Sequence, residues 1–70
     1  MTNDELKEAL FDGRPVEHNG IIYKCVSAII YRNKKGKLDI SAELLDKNKN
    51  SVSIVNPAKI KEVRNENKTN

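Results

Sequence analysis

Residues 21–31 form the longest apolar-rich stretch of the chain, and they are apolar on both faces. Read as one strand over residues 21–32, they put Ile21, Tyr23, Cys25, Ile29 and Tyr31 on one side and Ile22, Val26, Ala28 and Ile30 on the other. β-Branched and aromatic side chains suit a pleated strand. A strand that is apolar on both sides is either buried between two layers or bent, so that its two halves serve different parts of a barrel. Lys24 and Ser27 interrupt the stretch, and it falls far short of the roughly 20 apolar residues that cross a bilayer. In a chain of 70 residues, whatever covers this strand decides the fold.

The flanking segments say what that cover is. Thr2 followed by Glu5 makes a capping box. Leu6, Ala9 and Leu10 then fall on one helical stripe, with Asp4, Glu5, Lys7 and Glu8 mostly on the other face. The spacing predicts a short helix over residues 3–11, which Gly13 ends in a left-handed cap and Pro15 forbids from continuing. Beyond it every signal is strand or turn. Residues 16–18 lead into Asn19-Gly20, a pair that suits the positive φ of a type I′ hairpin turn. After the long strand and a turn at residues 33–36, residues 38–45 alternate cleanly. Leu38, Ile40, Ala42 and Leu44 point inward, with Asp39, Ser41 and Glu43 outward. A turn at residues 46–50 leads to a strand over 51–55, with Val52 and Ile54 inward. A tight bend or single 3₁₀ turn at residues 56–59 precedes a last strand over 60–63. Residues 64–70 carry no apolar side chain and read as a disordered tail.

The expected fold is therefore α+β, one domain over residues 1–63. A short N-terminal helix is followed by a five-stranded antiparallel small barrel or strongly curved sheet, because closure hides sheet edges. The Pro-containing turn before a short final strand resembles the layout of SH3-like barrels. The expected core is Leu6, Leu10, Val16, Ile22, Val26, Ile29, Ile40, Ala42, Leu44, Val52, Ile54 and Ile60. A core of this size folds a small chain with little to spare. The second face of the long strand is then expected to bury itself against another copy, making a homo-oligomer.

Composition narrows the function classes. Hydrophobic residues are 37% and charged residues 33%, but the apolar ones are patterned, so the chain is folded and not disordered. Cys25 is the only cysteine, which excludes an internal disulfide and fits a reducing cytosol. The acidic, polar residues 1–5 do not read as a signal or transit peptide, so the expected location is the cytoplasm, with no membrane partner. One His and one Cys, His18 and Cys25, could face each other across the hairpin, but two ligands do not make a zinc site, and no metal or cofactor is expected. Cys25 has no helix N-terminus or Gly-rich elbow beside it to activate the thiol. Gly13, Gly20 and Gly36 are isolated turn residues and not a phosphate loop. Asp39 and Glu43 share a strand face, where solvated positions account for both. No enzyme is expected.

The basic residues are the remaining candidates. The net charge of +3 permits an anionic partner without demanding one. Lys34, Lys35 and Lys37 crowd one turn, bordered by Tyr31 and Arg32, while Lys47 and Lys49 crowd another. In a meander the two turns sit at opposite ends of the strand 38–45, as two patches and not one stripe. A base could stack on Tyr31 while the lysines hold phosphates. Ordinary lysine-rich turns that keep a small protein dissolved account for the same residues.

Two segments carry a resemblance. One is Leu10-Phe11-Asp12-Gly13-Arg14-Pro15-Val16-Glu17-His18-Asn19-Gly20-Ile21-Ile22-Tyr23. The other is Ser41-Ala42-Glu43-Leu44-Leu45-Asp46-Lys47 followed by Asn50-Ser51-Val52. Both resemble short uncharacterised proteins of phages and prophages of low-GC Gram-positive bacteria. That resemblance implies a binding protein with a host-interaction or counter-defence role. The resemblance assigns no role to particular residues; the residues themselves suggest occlusion of a host protein, or capture of a small anionic ligand such as a nucleotide at a subunit interface lined by Tyr23, Tyr31, Arg32 and nearby lysines. A nucleic-acid-binding module that uses the basic turns is the first alternative, and a virion structural or assembly component the second.

Overall fold

The computed structural model describes residues 1–63. It contains one helix, α1 (Asn3–Asp12), and six strands: β1 (Val16–His18), β2 (Ile21–Tyr23), β3 (Cys25–Lys34), β4 (Lys37–Leu45), β5 (Val52–Val55) and β6 (Ile60–Glu62). A 3₁₀ turn at Pro57–Lys59 precedes β6. The class is α+β, as the sequence implies. The strands form two antiparallel three-stranded sheets, β2-β1-β6 and β3-β4-β5. The closed five-stranded barrel expected from the sequence is not formed among the described residues.

The extra strand comes from Lys24. Its N–H leaves the β1–β2 ladder and donates to the Leu45 carbonyl of β4 at 2.8 Å. The chain bends there, and the two halves of the apolar stretch join different sheets as β2 and β3. Of the two ways a doubly apolar strand can exist, this is the bent one.

A second irregularity lies inside β3. Val26 pairs with Leu44, but Ala28 pairs with Glu43, so Ser27 is an extra residue, a β-bulge. Its hydroxyl hydrogen-bonds to the Glu43 side, 2.8 Å from Oε2 and 3.2 Å from the carbonyl oxygen. The bulge resets the alternation. Val26, Ile29 and Tyr31 now stand opposite Leu44, Ala42 and Ile40 on one face. Simple alternation had put Val26 on the other side from Ile29 and Tyr31.

That shared face holds the core. Leu6, Ala9, Val16, Val26, Ala42, Leu44 and Ile60 are each at most 2% exposed, with Met1, Leu10, Tyr23, Ile29, Ile40 and Val55 packed around them. α1 lies against β3 with its Leu6 and Ala9 stripe buried. Its capping box is closed: Glu5 N–H donates to Thr2 Oγ1 at 3.2 Å, and Thr2 N–H to Glu5 Oε1 at 2.9 Å. Gly13 ends the helix in the left-handed region and donates its N–H to the Ala9 carbonyl. The Met1 nitrogen donates to the carbonyls of Pro57 and Ile60 at 3.0 and 3.1 Å, which ties the start of the chain to the 3₁₀ turn.

Three expected core residues are exposed. Ile22 is 39% exposed because its partner in the ladder is Glu17, on the face away from Val16 and Tyr23. Val52 and Ile54 are 48% exposed because β5 pairs in the opposite phase. Ser53 stands opposite Leu44 and Val55 opposite Ala42, so Val55 takes the core side. The loop sets that phase: Asp46 N–H donates to the Ser51 carbonyl at 3.0 Å and Lys49 N–H to the Asp46 carbonyl at 2.9 Å, locking Leu45 opposite Val52. A slip of one residue would exchange the two faces of the strand. No helix among the described residues is long and apolar enough to cross a membrane. The tail expected at 64–70 lies outside the described residues.

Candidate functional site

β5 covers β4 only along residues 42–45. The distal parts of β3 and β4 therefore continue as a two-stranded ribbon, and every residue from 31 to 38 is exposed. The ribbon turns through Lys35 and Gly36, whose φ angles are 54° and 81°. Positive φ at both central positions is the requirement of a type I′ turn, and it suits the twist of the flanking strands. Gly36 meets it freely, while Lys35 holds a conformation that side chains with a Cβ avoid. The Asn33 side chain supports the turn, its Oδ1 accepting the Gly36 N–H at 2.8 Å.

The pairing sorts the ribbon's side chains. Tyr31 stands opposite Ile40 and Asn33 opposite Leu38 on one face. Arg32 stands opposite Asp39 and Lys34 opposite Lys37 on the other, with Lys35 at the tip. Tyr31 is 51% exposed and Leu38 66%, so the core-side face of the ribbon runs past the core into solvent. A surface depression of about 290 Å³ is lined by Tyr31, Arg32, Asn33, Gly36, Lys37 and Leu38.

The second basic turn lies at the other end of β4. There a depression of about 480 Å³ is lined by Gly13, Pro15, Ile22, Tyr23, Lys24 and Lys47. The expected site residues thus divide. Tyr31, Arg32 and Lys37 line one depression, with Lys34 and Lys35 on the same hairpin, and Tyr23 and Lys47 line the other. Lys49 sits in the β4–β5 loop with φ 61°. Asn33, Leu38 and Lys24 line these depressions and are not among the site residues expected from the sequence. Leu38 reads as a core residue by alternation, and only the shortness of β5 reveals that it lies past the core.

Other candidates separate in space. His18 stands opposite Ile21 and Ile60, while Cys25 stands opposite Leu45 in the other sheet. Among the described residues no three of His, Cys, Asp and Glu gather as a metal site would need. Arg14 lies 3.6 Å from both Glu8 and Asp12, steadying the end of α1. The outer face of β3-β4-β5 carries Ala28, Ile30, Leu45, Val52 and Ile54 around the Ser27–Glu43 hydrogen bond. Comparison with protein-family models, with curated proteins and with solved structures finds no match.

Proposed function

We propose that this chain is a non-enzymatic binding protein that docks its β3–β4 hairpin onto an anionic partner and covers it. One observation carries the reading. Arg32, Lys34, Lys35 and Lys37 are gathered on an exposed ribbon beside an exposed tyrosine and leucine, with Asp39 the only acid in its paired register. Cations placed on a ribbon beyond the body reach a partner surface with little else in the way. The two depressions are open hollows, which favours covering a surface over enclosing a small ligand. The resemblance to phage and prophage proteins fits a host-interaction or counter-defence role in a bacterial cytosol, where a partner is occluded and not transformed.

The same reading takes the layout as an open relative of SH3-like small barrels. In support, β2 and β3 run on through a bend, and a 3₁₀ turn precedes a last strand that pairs with the first. It also takes the homo-oligomer to form through the outer face, where Val52 and Ile54 lie half-exposed beside Ala28, Ile30 and Leu45.

Polyanion chromatography tests the docking element. The wild type is expected to stay on immobilised heparin until markedly higher salt than the double variant Lys34→Glu/Lys35→Glu. The charge-matched variant Lys47→Glu/Lys49→Glu controls for net charge and is expected to elute between the two. If the two variants elute together, the hairpin has no special role and the reading fails.

A further inference from the structure

Resting on the homo-oligomer reading, we infer that two copies of this chain join edge to edge through β5, where Val52 and Ile54 pair antiparallel with the partner's Ile54 and the partner's Val52 about a twofold axis at Ser53. β5 ends its sheet, with β4 on one side and no strand on the other among the described residues. The phase of its ladder shows which backbone groups are free. Residues 46 and 51 extend the Leu45–Val52 register by one step, and Asp46 N–H donates to the Ser51 carbonyl at 3.0 Å. Successive residues of an antiparallel strand turn their backbone groups to opposite sides. Ser51, Ser53 and Val55 therefore address β4, and the N–H and C=O of Val52 and Ile54 point out of the sheet edge. Both of these side chains are 48% exposed.

The other sheet edges are guarded and this one is not. A strand edge draws further strands unless it is short, charged or covered. β2 has three residues and runs into Lys24. β6 carries Lys61 and Glu62, and the Met1 nitrogen donates to its Ile60 carbonyl at 3.1 Å. β3 carries Arg32 and Lys34 and lies against α1. Residues 50–56, which contain β5, have no charged side chain. A second copy fits that edge by symmetry, because a twofold contact must be complementary to itself. In the register centred on Ser53, each Val52 forms a hydrogen-bonded pair with the partner's Ile54, and the β-branched side chains meet on the outer face. Charge favours the arrangement too. β5 runs antiparallel to β4 and would run antiparallel to its twin, so the two β3–β4 hairpins point in opposite directions. Their cations stay apart, and each hairpin keeps its docking surface. An acidic partner strand would be drawn to a hairpin and not to this uncharged edge.

Sedimentation velocity from tens to hundreds of micromolar protein tests the inference, since so short an edge belongs with the weak interfaces. The wild type is expected to pass from monomer to dimer as concentration rises. Ile54→Pro removes an outward N–H without touching a hydrogen bond to β4, and is expected to stay monomeric while circular dichroism shows it folded. The register has a separate readout. Ser53 would face its twin as a non-hydrogen-bonded pair, with Cα atoms about 4.5 Å apart, within disulfide reach. In a Cys25→Ala background, Ser53→Cys is expected to cross-link on oxidation with diamide. Ser51→Cys, which would face the partner's Val55, is expected not to. Selective cross-linking at position 53 supports the inference even if Ile54→Pro does not fold. A wild-type dimer with no preference for position 53 over 51, or one that persists in folded Ile54→Pro, overturns the edge pairing and leaves the homo-oligomer to packing of the outer faces. A monomer at every concentration overturns both.

Discussion

β4 belongs to two regions that share one strand and differ in nearly everything else. Its later half, residues 42–45, lies between β3 and β5, with Ala42 and Leu44 fully buried. Its earlier half pairs with β3 alone, and Lys37 and Leu38 are open to solvent. The inward positions are apolar in both halves, so patterning does not cause the difference. The cause is the length of β5, which covers four residues of β4 and stops. The body therefore spends its apolar side chains on cohesion, whereas the ribbon exposes the same kinds of side chain beside a cluster of cations. Apolar groups left in solvent cost the fold their burial energy, and the hairpin that carries them is where the docking reading places a partner.

The largest expected effect separates two leucines on the same face of one strand. Leu44→Ala removes a fully buried side chain and is expected to cost about 2–5 kcal/mol, enough to leave so small a domain largely unfolded. Leu38→Ala removes one that is 66% exposed and is expected to stay within about 0.5 kcal/mol of wild type in a urea melt. Similar losses at the two sites would erase the division between body and ribbon.

A smaller effect concerns the body's helix and acid. Glu5 accepts the backbone N–H of Thr2, and this hydrogen bond holds its carboxyl below the usual glutamate range. A depressed carboxyl favours the fold above its unfolded pKa, and that contribution disappears as pH falls through the lowered folded value. The group is exposed, so the expected outcome is a slight loss of helix signal by far-UV circular dichroism as pH drops below the ordinary carboxylate range. Glu5→Gln should abolish the pH-dependent part, and a step that survives in Glu5→Gln would assign it to another carboxyl.

Much of the body was legible because its signals are local. The capping box needs only Thr2 and Glu5, and the first hairpin turn only Asn19 and Gly20, whose positive φ values the structure shows. The alternation along residues 38–45 marks the inner face of β4 because no bulge interrupts that strand. The departures arise where backbone pairing, and not residue type, decides which partner a segment takes. Lys24 leaves its strand for the Leu45 carbonyl, Ser27 is squeezed out opposite Glu43, and the loop at Asp46 sets the phase of β5. None of these leaves a mark in residue type, yet each decides which side chains face the core. The candidate site was legible as residue types, a tyrosine and cations around a turn, but not as a shape. That Asn33 and Leu38 help to line it follows from the turn geometry and from where β5 ends.

Amide hydrogen exchange along the chain tests the division most directly. The account predicts that the amides of Val26, Ala42 and Leu44 are the slowest, opening only with global unfolding. Those of residues 31–38 should exchange through local opening and become protected only when a polyanion such as heparin is added. Ribbon amides as slow as those of Leu44 in the unbound protein would contradict it, because the hairpin would then belong to the cooperative core and not stand apart as a contact element.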